Sequence, residues 1–116
     1  LVALAETLTD TDGRTHRMAG VLPADVRMCE RYQALDHVAL RARNDVLTAD
    51  AGTTVRGHEF HYSEADVAPD ATFAFDVERG DGIADGKDGL TEHRTLGTYA
   101  HVHADSGAFD RFLDRL

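Results

Sequence analysis

Residues 71–78 alternate without exception: Phe73, Phe75 and Val77 fall on one side of an extended chain, and Thr72, Ala74, Asp76 and Glu78 fall on the other. A period of two belongs to a half-buried β-strand, and a strand requires a sheet to pair with. Further strands are predicted nearby. Residues 17–22 read as a short strand ended by Pro23, which has no N–H to give a ladder. Residues 34–43 alternate loosely, and residues 90–93 and 96–103 read as extended too. Residues 54–63 place Val55, Gly57, Glu59 and His61 on one face and Arg56, His58, Phe60 and Tyr62 on the other. Residues 24–34 fit no single pattern. Helices are expected only at the two ends. Over residues 1–8, Leu1, Leu4 and Leu8 share a face until Asp10-Thr11-Asp12-Gly13 stops the run. After Ser106, a candidate N-cap, Phe109, Phe112, Leu113 and Leu116 are spaced as one apolar stripe.

Strands with helices at the ends alone cannot cover both faces of a sheet. Leu1 stands where a Met would begin a chain, inside a helix-like stretch with no capping residue before it, so residues 1–116 are expected to be one partial domain. No internal repeat, linker or low-complexity tract divides it. A net charge of −9 argues against nucleic acid, whose phosphates are bound by clustered Lys and Arg. No apolar run approaches the roughly 18 residues of a membrane span. The single Cys29 excludes an internal disulfide or a multi-cysteine zinc site, and it fits a reducing, cytoplasmic compartment. Asp outnumbers Glu 15 to 6 and Arg outnumbers Lys 11 to 1, a skew that fits either a salt-adapted (halophilic) source or a GC-rich genome.

Three clusters have the residue types of a chemical site. The densest is Arg56-Gly57-His58-Glu59-Phe60-His61-Tyr62-Ser63. On a regular strand His58 and His61 point to opposite faces, so they cannot share one metal ion, and they lack the helical spacing of metalloprotease ligands. The strand is either a solvated or packing element or one that faces a substrate. In Thr98-Tyr99-Ala100-His101-Val102-His103, the residues Tyr99, His101 and His103 share a face. That pattern suits a catalytic base with polar neighbours, a pair of metal ligands, or structural histidines. The run from Asp81 to Glu92 superficially tracks a calcium loop, but Ile83 stands where an oxygen ligand belongs and the flanks are strand-like, so it reads as a turn. Cys29 has Glu30 beside it and no Gly-rich turn to expose it, which disfavours a reactive thiolate.

Six blocks occur in an order that carries a resemblance. They are Leu4-Ala5-Glu6-Thr7-Leu8-Thr9-Asp10 with Asp12-Gly13, Met18-Ala19-Gly20-Val21-Leu22-Pro23, Arg31-Tyr32-Gln33-Ala34-Leu35, the Arg56 to Ser63 block, Asp85-Gly86-Lys87-Asp88-Gly89-Leu90, and the Thr98 to His103 block. Together they resemble the C-terminal amidotransferase domain of cobyrinic acid a,c-diamide synthases over nearly the whole chain. The resemblance implies an α/β, three-layer, flavodoxin-like class I glutamine amidotransferase domain, of which this is the C-terminal part, strand-rich with a C-terminal helix. It implies an ATP- and glutamine-dependent ligase of cobalamin biosynthesis that amidates the a and c carboxylates of cobyrinic acid. Its partners would be glutamine, the corrin and the rest of the synthase chain.

ATP and magnesium would be held by an N-terminal P-loop domain, because no Gly-x4-Gly-Lys-Ser/Thr pattern occurs here. The nucleophilic Cys would lie in a Gly-rich turn just before Leu1, with residues 1–8 as the helix that follows it. His101 matches the catalytic His of the family, and His58, Glu59, His61 and His103 are expected to line the site without holding a metal. Class I relatives carry a Glu two residues after the His; here that place is taken by His103, which leaves Glu59 as a candidate third group. Asp36-His37 and Ala104 also depart from the family pattern. On this basis the chain alone should be inactive. Two alternatives stay open: a nickel-sirohydrochlorin a,c-diamide synthase, and a stand-alone metal or tetrapyrrole binder using His58, His61, His101 and His103.

Overall fold

The pleated chain that the alternation predicts is what forms in the computed structural model, which describes residues 1–116. In chain order the strands are β1 (Thr7–Thr9), β2 (Thr15–Arg17), β3 (Ala24–Met28), β4 (Ala34–Ala42), β5 (Thr54–His61), β6 (Ser63–Val67), β7 (Thr72–Arg79), β8 (Lys87–Glu92), β9 (Thr95–Gly97) and β10 (His101–Val102). One helix, α1 (Ala108–Asp114), ends the chain. The strands form a four-stranded sheet in the order β2-β1-β3-β6 and a six-stranded sheet in the order β10-β5-β4-β7-β8-β9. Every pairing is antiparallel except β1 with β3. The α/β class, the excess of strand and the C-terminal helix agree with the sequence. No helix is long and apolar enough to cross a membrane.

Several expectations are corrected. Residues 1–8 are not a helix: a single 3-10 turn, Val2–Leu4, has no side-chain cap and gives way to β1. Thr7 and Thr9 are β-branched and favour extended backbone, and the N–H of Glu6 is taken by the Ala24 carbonyl at 2.8 Å, which draws the segment into the sheet. The strand expected at residues 17–22 stops at Arg17. Beyond it the N–H groups of Ala19, Gly20, Val21 and Leu22 bond back to carbonyls of residues 3–5. Residues 24–34 contain β3, where Ala24 and Val26 are buried and Asp25 and Arg27 are exposed. Residues 54–63 break at Tyr62, where the chain leaves the larger sheet and enters the smaller one. Ala74, expected to face solvent, is buried in the core of the larger sheet, while Thr72, Asp76 and Glu78 of the same face are exposed as expected.

The C-terminal helix docks by another face than its apolar stripe. Ser106 does not cap it; the Ser106 hydroxyl donates to the His103 carbonyl at 2.6 Å, and Gly107 occupies the N-cap position at φ 85°. Ala108 is buried, and Arg111, three residues on, donates from Nε to the Val46 carbonyl at 2.6 Å and from Nη1 to Asp50. Phe109, Phe112, Leu113 and Leu116 are left facing solvent. A helix this short can seat only one face, and the fit of Ala108 with the bonds of Arg111 decides which.

Two cores result. One joins Val38, Leu40, Ala42, Val55, Ala74, Phe75 and Ala100 beneath the larger sheet; the other joins Ala5, Leu22, Ala24, Val26, Leu90 and Tyr99. Residues 98–100, expected to be strand, form a bend between β9 and β10 that passes from one core to the other.

Candidate functional site

The segment bearing His101 joins the sheet edge by a two-residue ladder, with the His103 N–H bonded to the Arg56 carbonyl at 2.8 Å just beyond it. His101 pairs with His58 and Val102 with Gly57. A Cβ on residue 57 would sit 2.1 Å from the His101 carbonyl oxygen and 2.9 Å from the Val102 Cα, so β10 closes onto β5 only because position 57 has no side chain. Gly57→Ala is therefore expected to push β10 off the sheet at a cost of about 1–3 kcal/mol. A urea midpoint equal to that of the unsubstituted chain would show that the strand has room to spare.

The side chain of His101 lies on the outer face of the sheet. Its ring centroid is 5.1 Å from that of His58, and the His58 centroid is 5.7 Å from that of His103. His37 of β4 stands opposite His58, so His37, His58 and His101 form a row across three strands, and all are exposed. Leu35 and Phe60, paired in the same register, extend this face and are exposed as well.

Glu59 and His61 lie on the inner face, as the odd spacing from His58 requires. Glu59, only 1% exposed, accepts from the Gly82 N–H at 2.9 Å through Oε1 and contacts His61 Nε2 at 2.9 Å through Oε2. The Gly82 backbone, at φ 77°, turns tightly enough to offer that N–H, and a Cβ there would lie 2.5 Å from the Lys87 carbonyl oxygen. His61 Nδ1 faces the Ser63 carbonyl at 2.8 Å. A carbonyl and a carboxylate can only accept, so the ring satisfies both when both nitrogens carry protons. Burial is the largest single influence and disfavours that charge, but the bonds to Glu59 and Ser63 and the nearby carboxylates outweigh it, and the His61 pKa is raised. The imidazole also stacks on Tyr99, with centroids 3.8 Å apart and planes 9° apart, and the Tyr99 hydroxyl bonds the Ser63 hydroxyl at 2.9 Å.

Stability contributed by charged His61 is complete below its unfolded value of about 6.5 and is lost as pH rises through the higher folded value. The denaturation midpoint should fall as pH is raised above about 6.5, and His61→Gln should flatten that fall. A slope that the substitution leaves intact would belong to another group.

The five residues expected in one site thus divide. His58, His101 and His103 come together on the outer face; Glu59 and His61 sit behind the sheet. Glu59 spends its oxygens on Gly82 and His61, so it does not orient His101. Tyr99, expected beside His101 and His103, points inward, because β10 is only two residues long and the bend before it breaks the alternation. The Asp81 to Glu92 run is a turn leading into β8, as expected of it. No group of three or more His, Cys, Asp or Glu side chains is arranged to hold a metal ion. Sequence reasoning missed His37 and Asp88. Asp88 is a fully buried carboxylate on β8, and an Asp inside a strand between Lys87 and Gly89 was the available signal, because strands are poor in Asp.

Comparison with known proteins is consistent along the whole chain. The family model of CobB/CobQ-like glutamine amidotransferase domains matches residues 1–109. A Halobacterium salinarum protein named cobyrinate a,c-diamide synthase is 73% identical over 116 residues, which is 100% of this chain and 26% of that protein. Proteins of the same name from Haloarcula marismortui and Archaeoglobus fulgidus are 63% and 38% identical over 97% and 99% of this chain, and over 26% and 25% of their own lengths. This chain therefore spans about a quarter of the length of the curated relatives it matches. With that match extending over both cores and the His101 strand, the chain belongs to the family of CobB/CobQ-like glutamine amidotransferase domains.

Proposed function

We propose that this chain is the His101-bearing part of the glutaminase unit of a cobyrinate a,c-diamide synthase. The observation that supports the reading best is His101 itself, standing exposed beside His58 on the outer face within a segment that matches proteins of that name end to end. An exposed imidazole on a strand end can reach a reacting group, whereas His61, bonded at both nitrogens, has no free position for a proton.

In the proposed reaction a cysteine thiolate from the rest of the protein adds to the side-chain amide carbon of glutamine. The C–N bond breaks, and His101 passes the proton taken from the thiol to the departing ammonia. A water molecule then adds to the thioester with His101 accepting its proton; the C–S bond breaks, His101 returns that proton to the cysteine sulfur, and glutamate leaves. Cys29 is not that thiol on this reading; its Sγ donates to the Arg27 carbonyl at 3.9 Å and is hydrogen-bonded to no base. The ammonia would be used to amidate the a and c carboxylates of the corrin after their activation by ATP. ATP and magnesium are assigned to the rest of the synthase, since this chain has no phosphate-cradling P-loop sequence. The test is ammonia release from glutamine by the complete synthase carrying this segment, with and without His101.

A further inference from the structure

A fully buried carboxylate is costly unless its oxygens are bonded. Asp88 is 0% exposed, and two of its three bonds go to one distant segment. Its Oδ1 accepts from the Tyr99 N–H at 3.0 Å and from the Gly89 N–H at 2.7 Å, and its Oδ2 accepts from the Ala100 N–H at 3.0 Å. Tyr99 and Ala100 lie in the bend between β9 and β10, and their N–H groups have no backbone acceptor. They are also the two residues immediately before His101. Each is anchored on a different side: Tyr99 stacks on His61 and bonds Ser63, and Ala100 is buried in the core of the larger sheet.

We propose that Asp88 is the positioning residue for His101, a carboxylate that grips the main chain of Tyr99 and Ala100 with one oxygen each and so fixes where β10 begins and where the imidazole emerges. The inference rests on His101 being the acid-base group of the glutaminase. Asp88 touches neither His101 nor the outer face; it acts through two peptide N–H groups. Burial pushes the Asp88 carboxyl up, and its three N–H donors pull the other way without reversing the rise.

Asp88→Asn preserves size but turns one acceptor into a donor facing an N–H. In the complete synthase carrying this segment, kcat for glutamine hydrolysis should fall about 10- to 100-fold while KM stays within about twofold, as expected of a misplaced group that does not bind substrate. The Tyr99 and Ala100 amides should exchange with deuterium at least about tenfold faster. Leu8→Ala, on β1 of the smaller sheet, which pairs with none of β8, β9 and β10, should lower thermal stability and leave both kcat and that exchange unchanged. Wild-type kcat in Asp88→Asn, unaltered exchange at the two amides, or an equal kcat loss in Leu8→Ala would overturn the proposal. Should Asp88→Asn fail to fold, the unsubstituted protein decides: protection of these two amides comparable to that of β8 supports the clamp, and free exchange sinks it. Glutamine hydrolysis that survives His101→Ala marks instead a failure of the reading of His101, and the exchange data then judge the clamp separately.

Discussion

His101→Ala in the complete synthase is expected to lower ammonia release from glutamine about 100- to 10,000-fold, the loss that follows removal of a positioned acid-base group, while stability changes by no more than about 0.5 kcal/mol. The two halves of that expectation have separate causes. The side chain is exposed, so its removal opens no cavity, and the pairing of β10 with β5 is made by backbone that alanine keeps. The imidazole, in contrast, is the group proposed to move the proton. Supplying ammonium salt in place of glutamine should restore amidation in the variant, because the lesion lies upstream of the ammonia. His58→Ala should cost less than His101→Ala, since His58 meets the reaction only through its contact with the His101 ring. Ammonia release at the full rate from His101→Ala would remove this residue from the mechanism.

What could be read from the sequence follows a physical divide. The β7 alternation, the extended β4 and β5, and the separation of His58 from His61 to opposite faces all depend on the two-residue period, which local sequence carries. The failures lie where tertiary bonds overrule local pattern. Residues 1–8 have helical spacing, yet Glu6 N–H finds the Ala24 carbonyl and the segment pairs with β3. The Phe109 to Leu116 stripe has helical spacing, yet Arg111 bonds Val46 and Asp50 and turns the stripe outward. Within the site, the outer histidines could be named from motif and strand parity. The bend at residues 98–100 could not, because its cause, the Asp88 carboxylate, lies on another strand eleven and twelve residues earlier.

Glu59→Ala is expected to be the most destabilising single substitution at this site, at about 3–5 kcal/mol, because it strands an imidazole built to be charged and leaves a turn N–H without an acceptor. Glu59 is the one group that ties β5 to the 80–82 turn through Gly82 and to the Tyr99 stack through His61. Glu59→Gln retains a carbonyl acceptor for one of these but not the negative charge, so it should fall between the alanine variant and the unsubstituted chain. It should also weaken the pH dependence above about 6.5, since the Glu59 bond and charge, with the Ser63 carbonyl and Asp88, raise the His61 pKa against its burial. Glu59→Ala combined with His61→Ala should cost less than the sum of the two, because the second substitution removes the charge that the first leaves unpaired. Chemical denaturation of the unsubstituted protein and the four variants Glu59→Ala, Glu59→Gln, His61→Ala and the double, at pH 6 and pH 8, gives all of these quantities. Additive losses, or a Glu59→Gln midpoint as pH-dependent as the original, would mean that Glu59 and His61 are stabilised independently and that the buried pair is not what holds Tyr99 behind the His101 strand.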